Sequence, residues 1–143
     1  MAIVDTLLPE YDHEMATTRK VLERVPGDKL TWKPHAKSFS LGELATHVAT
    51  IPMWGEMTLD RRDLDATTGQ RPELPASTAD LLARFDGHSA KTRAALVGKT
   101  DAALMAMWSL KREGKIVFSM PKAIVWRSFV LNHLVHHRGQ LAV

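Results

Sequence analysis

The chain contains no cysteine among its 143 residues. This absence excludes disulfide bonds, thiolate zinc sites and a cysteine nucleophile, and it agrees with a cytoplasmic location. The sequence also has no apolar run of membrane-spanning length and no basic-then-apolar signal segment at its start. We therefore expect a cytoplasmic protein that has no association with a membrane.

Positive charge is not concentrated in any one segment. The net charge is +3 and the pI is near 9.4, but the basic residues are scattered, and the densest group is Lys111, Arg112 and Lys115. Because DNA-binding proteins usually gather such charge on one helix or face, we expect no nucleic-acid partner. Internal repeats, low-complexity segments and inter-domain linkers are also lacking, so residues 1–143 are expected to form one domain.

Histidines, by contrast, are plentiful. The chain has seven, and three of them fall within five residues near its end. Residues 126–141 contain no proline and one glycine, which favours a helix. His133 and His137 are four residues apart and share a face of that helix with an apolar stripe. The stripe consists of Trp126, Phe129, Val130, Leu134 and Leu141.

This histidine pair could hold a divalent metal ion, because i,i+4 imidazoles on a helix reach one centre. Two ligands rarely suffice, so a third is expected elsewhere. His47 is the best candidate, although a lone histidine on the flank of an apolar arc is more often a boundary residue. His136 lies at the margin of the stripe and is the weaker ligand candidate, and His88 is a less favoured alternative on another helix.

The rest of the pattern predicts an all-α fold, a four-helix bundle with a short hairpin-like crossover before the last helix. A first helix is expected over residues 2–25, and a second starts at the capping box Ser40–Glu43, is kinked or bulged at Pro52 and ends near Leu59. A loop over 60–76 precedes a third helix that opens at residues 77–80. A short helical turn (100–107), a hairpin (108–119) and a last helix beginning at Pro121 follow.

Three segments together resemble the DinB-like (DinB/YfiT) superfamily of helical-bundle metalloproteins. They are Asn132-His133-Leu134-Val135-His136-His137-Arg138-Gly139-Gln140, Ser40-Leu41-Gly42-Glu43-Leu44-Ala45-Thr46-His47 and Thr31-Trp32-Lys33-Pro34-His35. Their order and separation match as well, so the resemblance covers nearly the whole chain. It implies a four-helix bundle with a hairpin-like crossover, and a metal triad of His47, His133 and His137.

The resemblance also implies an activity. Characterised relatives include thiol S-transferases that use bacillithiol, mycothiol or glutathione, and a mycothiol-dependent isomerase. We expect a metal-dependent enzyme in which a metal-activated thiolate attacks an electrophile, or a hydrolase that uses metal-bound water. Zinc or nickel is the favoured metal, and no organic cofactor or further catalytic residue is assigned. The expected partners are a small-molecule thiol, an electrophile and a second copy of the chain. The alternative is a non-catalytic dimeric metal-binding or stress-response binding module.

Several other residues have two competing interpretations. Glu43 completes the capping box or orients His47, and Asn132 and His136 are further candidates for supporting the metal ligands. Trp54, Met57 and Trp126 line a pocket or fill the core. Arg138 attracts an anionic substrate or is solvated. Trp32 and Phe39 are expected to anchor the connector 28–39 against the end of the bundle.

Overall fold

The computed structural model describes residues 1–68 and 72–143. Three long helices are α1 (Ile3–Leu22), α2 (Leu41–Asp60) and α3 (Thr78–Leu96). A short helix, α4 (Asp101–Met105), leads into a small sheet, and a final helical stretch over 122–141 returns along the bundle. The molecule is mostly helical, as predicted. Among the described residues, no helix is long and apolar enough to cross a membrane.

Helices α2 and α3 begin at the predicted capping signals. The Ser40 hydroxyl accepts a hydrogen bond from the Glu43 backbone N–H at 3.1 Å, and the Glu43 carboxylate accepts one from the Ser40 N–H at 2.6 Å. This reciprocal pair is the predicted capping box, and it starts α2. Ser77 caps α3 in the same way by accepting from the Asp80 N–H at 3.1 Å. Pro52, where a kink or bulge was expected, lies inside α2 without ending it.

One continuous core fills the space between the helices. Its largest side chains are Tyr11, Phe85 and Trp126, all essentially inaccessible to solvent. Tyr11 and Trp126 pack with ring centroids 5.2 Å apart, joining α1 to the final helical stretch. Trp126 is therefore a core residue rather than part of a pocket wall.

The predicted hairpin is present and belongs to a larger sheet. Strands β2 (Met107–Arg112) and β3 (Lys115–Pro121) pair antiparallel, and they are joined by Glu113 and Gly114, whose φ angles are 50° and 73°. A third strand, β1 (Asp63–Asp65), pairs parallel with β2. The mostly helical bundle therefore carries a small three-stranded sheet in addition to its helices, and the predicted loop 60–76 is corrected because it contains β1.

Tertiary contacts explain why the sequence did not indicate β1. Its three residues are too few for an apolar alternation, which is the usual signal of a strand. Instead, the Asp65 carboxylate accepts hydrogen bonds from the N–H groups of Thr67 and Gly114, and Lys111 pairs with Asp63 at 2.7 Å. These bonds hold the segment against the hairpin.

One regular last helix was predicted, but the structure divides it into three segments. It consists of α5 (Lys122–Val125), a π-helical segment (Trp126–Leu131) and α6 (Asn132–Leu141). Pro121 ends β3 and serves as the N-cap of α5 rather than as the first helical residue. The wider π turns bury both Val130 and Leu131, whereas Phe129 is half-buried and stacks on Phe118 at 4.8 Å.

Candidate metal centre

Three histidines meet where α2 faces α6. His47 comes from α2, one turn beyond its capping box, and His133 and His137 come from successive turns of α6. The Nε2 atoms of His47 and His133 are 3.1 Å apart, and ring nitrogens of all three residues lie within 4.8 Å of one another. In the part of the chain that the structure describes, no other trio of His, Cys, Asp or Glu meets this distance.

The outer nitrogens of the two α6 histidines face oxygen atoms. His133 Nδ1 lies 3.3 Å from the backbone oxygen of Phe129, and His137 Nδ1 lies 2.7 Å from Gln140 Oε1. Because these oxygens can only accept, each Nδ1 carries the proton and donates it. The Nε2 atoms of His133 and His137 are then left with lone pairs, which is the tautomer of a metal ligand.

The cluster also favours uncharged imidazoles. Burial, with a further contribution from the neighbouring His137 and His133, lowers the pKa of His47 to about 4. Burial is also the main cause of the lowered pKa of His133. At neutral pH both rings are therefore neutral, as a cation ligand must be.

Aromatic rings border the cluster on its α2 side. The Trp54 ring is 6.3 Å from His47 and 5.6 Å from His133, in edge-on arrangements. The Phe39 ring stacks 6.5 Å from His47 and is 51% exposed. Trp54 thus lies beside the centre, whereas Met57 lines a separate depression with Met53 and Glu56.

The predicted supporting residues have different surroundings. The Glu43 carboxylate takes part in the capping box. That Glu43 also orients the His47 ring stays a prediction. Asn132 and His136 are both exposed, and the His136 ring contacts His137 edge-on at 4.9 Å. His88 lies on α3, outside the cluster, where burial lowers its pKa.

Sequence reasoning missed Gln140 and misjudged Arg138. Gln140 follows His137 by three residues, a helical spacing that could have identified it as a partner. Arg138 is neither a solvated residue nor a free anion site. Its guanidinium contacts the Glu14 carboxylate at 2.5 Å and the Thr18 hydroxyl at 3.1 Å, and both charged side chains are less than one-fifth exposed. This ion pair ties α6 to α1.

Comparison with known proteins agrees with this fold. The family model of the DinB superfamily matches residues 10–141. A DinB-like protein from Bacillus cereus ATCC 10987 is similar in structure, with a TM-score of 0.72 and 20% identity over 98% of this chain and 88% of that chain. A DinB-like protein (YjoA) from Bacillus subtilis gives a TM-score of 0.73 and 18% identity over 95% and 86% of the two chains. Among curated proteins, none matches the chain.

Proposed function

The chain belongs to the DinB superfamily, and we propose that it is a metal-dependent enzyme whose ion is held by His47, His133 and His137. The observation that carries this proposal is the convergence of three ring nitrogens within 4.8 Å. Three imidazoles suffice without an acidic or sulfur ligand, because three protein ligands in a four-coordinate site leave the fourth position for a water molecule or substrate.

The donor set fits a divalent transition metal, with zinc or nickel favoured. Such an ion, when bound, lowers the pKa of a thiol or water molecule and so supplies a nucleophile at neutral pH. Three neutral imidazoles preserve the positive charge that this chemistry requires. The leading proposal is transfer of a thiol to an electrophile: the sulfur would bond to the electrophilic atom as the bond to the leaving group breaks, and the leaving group would depart with that electron pair and take up the proton that the thiol released. Hydrolysis is the related reaction, in which water replaces the thiol.

The protein's own residues would set the position of the reactants. Gln140 and the Phe129 carbonyl fix the rings of His137 and His133, so the ligands need little rearrangement to bind an ion. Trp54 and the exposed Phe39 supply apolar surface beside the centre. An electrophile with an apolar body could pack there while its reactive atom faces the histidines.

A small-molecule thiol and an electrophile are therefore the proposed partners, and the cytoplasm is the proposed location. The homodimer expected from the sequence also stays a prediction, which sedimentation equilibrium would test.

Metal content of untagged protein tests the proposed centre. We expect near-stoichiometric metal in the wild type by elemental mass spectrometry, and loss of that metal in both His133→Ala and His137→Ala. His13→Ala is the matched control, since His13 is exposed on α1 and lies outside the cluster. It should retain wild-type metal content.

A second measurement separates an enzyme from a binding module. Metal-loaded protein is assayed with panels of thiols and electrophiles before and after chelation. Rates that disappear on chelation and return with metal support the enzyme. Unchanged rates would overturn the metal-dependent mechanism, and a wild type without metal, even after reconstitution with zinc and nickel, would leave the histidines a purely structural role.

A further inference from the structure

An open groove of about 1470 Å³ adjoins the histidine centre. Its walls are the C-terminal half of α1, the segment over 23–40 that contains the connector, the start of α2 and the end of α6. His137, Gln140 and Phe39 lie along its lining. Since His137 belongs to the centre and Phe39 stacks against His47, the groove leads directly to the proposed metal site.

The side chains that line the groove carry more net positive charge than the chain as a whole. Five basic side chains line it, against one acidic side chain, Glu43, whereas the entire chain has a net charge of only +3. The basic residues are Lys20, Arg24, Lys29, Lys33 and Lys37. They are scattered along the sequence, but the fold brings them together around this one groove.

These charges are available to a ligand. All five basic residues are exposed, and among the described residues Lys33 alone of the five pairs with a carboxylate, that of Glu43 at 4.0 Å. Several cations around a concave surface reinforce one another and raise the local concentration of anions. Such a groove favours a ligand with more than one negative charge.

The connector adds apolar surface on a fixed backbone. Trp32 is 56% exposed and Phe39 is 51% exposed, so neither is buried as an anchor of the connector against the end of the bundle, which the sequence had predicted. The connector is instead held by backbone hydrogen bonds from the Leu41 N–H to the Trp32 oxygen and from the Gly42 N–H to the Leu30 oxygen, both 2.8 Å. Trp32 also lines the groove, where its ring can stack on a planar group.

We propose that this groove binds the anionic body of a small-molecule substrate, one that bears two or more carboxylate or phosphate groups and a planar or apolar portion. The lysines bind the charged groups, Trp32 packs on the planar portion, and the reactive end points towards His137. This inference deepens the proposed function and rests on it for the chemistry, although binding in the groove does not require the metal. Because the basic side chains surround one groove rather than forming an extended stripe, we favour a small molecule over a nucleic-acid strand.

Naphthalene-2,6-dicarboxylate and its uncharged diamide are suitable probes, because they share one shape and differ in charge. Affinity is measured by calorimetric titration of the full chain at low and physiological salt. We expect the dianion to bind about tenfold more tightly than the diamide, and the difference to shrink as salt rises. The double variant Lys29→Glu/Lys37→Glu should lose about tenfold in dianion affinity, and Trp32→Ala should weaken both probes.

Lys115→Glu is the matched control, because Lys115 is exposed on β3 and does not line the groove. This variant should change the affinity for the dianion less than twofold. Equal binding of dianion and diamide, or equal losses in the control and the double variant, would overturn the inference. Tighter binding of a single-stranded dodecanucleotide, lost in the same double variant, would replace it with a nucleic-acid site. Metal content is measured on every variant. If the wild type holds metal normally but does not bind the dianion, the anion-binding proposal fails and the metal-dependent enzyme stands. If it binds the dianion but holds no metal, the metal-dependent enzyme fails and the anion-binding proposal stands.

Discussion

Gln140 is the side chain that most directly controls a proposed ligand. Its Oε1 atom is 2.7 Å from His137 Nδ1, so it fixes both the tautomer and the orientation of that ring. Asn132 adjoins His133 in the sequence, but in the described part of the chain no hydrogen bond joins its side chain to a histidine of the cluster. Adjacency along a helix is therefore a poor guide to support, whereas a separation of three residues places side chains together.

Gln140→Ala should lower metal affinity by roughly 10- to 100-fold, the usual effect of removing the partner of a ligating histidine. Asn132→Ala is the matched control, and its affinity should stay close to that of the wild type. Competition with a chromophoric zinc chelator measures both affinities. Equal losses in the two variants would show that Gln140 does not orient His137, and circular dichroism would verify that both variants remain folded.

Residue-level reasoning could identify the three histidines before their geometry was known. Two of them share a helix at a spacing that puts them on one face, and the third lies on the flank of a second amphipathic helix. Nothing local, however, relates the lysines of α1 and the connector to the end of α6. Their gathering depends on how the connector docks on α2, which is a tertiary property.

The helical elements approach closely at one glycine of α2. A Cβ atom on Gly55 would lie 2.6 Å from Thr92 Cγ2 and 2.9 Å from Trp126 Nε1. The Thr92 side chain has little freedom to rotate away, because its hydroxyl donates to the Pro52 carbonyl at 2.5 Å. Gly55 is therefore required where α2, α3 and the π-helical segment meet.

Gly55→Ala should reduce the free energy of unfolding by about 1–3 kcal/mol, the usual cost of overpacking a core. Gly87→Ala on α3 is the matched control, because a Cβ there meets nothing within 4 Å. That substitution should raise the free energy of unfolding by about 0.5–1 kcal/mol, since alanine favours a helix. Urea denaturation measures both changes. If Gly87→Ala also lowered the free energy of unfolding, helix propensity would not govern stability at that open position.

Other features at the element scale were only partly predictable. Capping boxes and apolar periodicity located α1, α2 and α3, because those signals are local. The π-helical segment over Trp126–Leu131 and strand β1 were missed, since neither has a periodicity of its own. The π-helical segment buries two consecutive side chains, Val130 and Leu131, and the β1 segment is paired with the hairpin by distant hydrogen bonds.

At the scale of the whole molecule, the histidine cluster links distant parts of the chain. His47 and His133 are 86 positions apart, and they join α2 to α6 across one end of the bundle. A metal ion held by both helices binds the folded chain and not the separated segments of an unfolded one. Ligand binding of this kind stabilises the native state by mass action.

Zinc added at about 100 times its dissociation constant should therefore stabilise the protein by about 2.7 kcal/mol. For a chain of this size we expect the midpoint of thermal unfolding to rise by roughly 5–10 °C. Differential scanning calorimetry measures the shift, which a chelator should reverse. The shift should vanish in His133→Ala and persist in His13→Ala, because only the first variant removes a proposed ligand. An equal shift in both variants would place the zinc outside the cluster, and no shift in the wild type would mean that α2 and α6 share no ion.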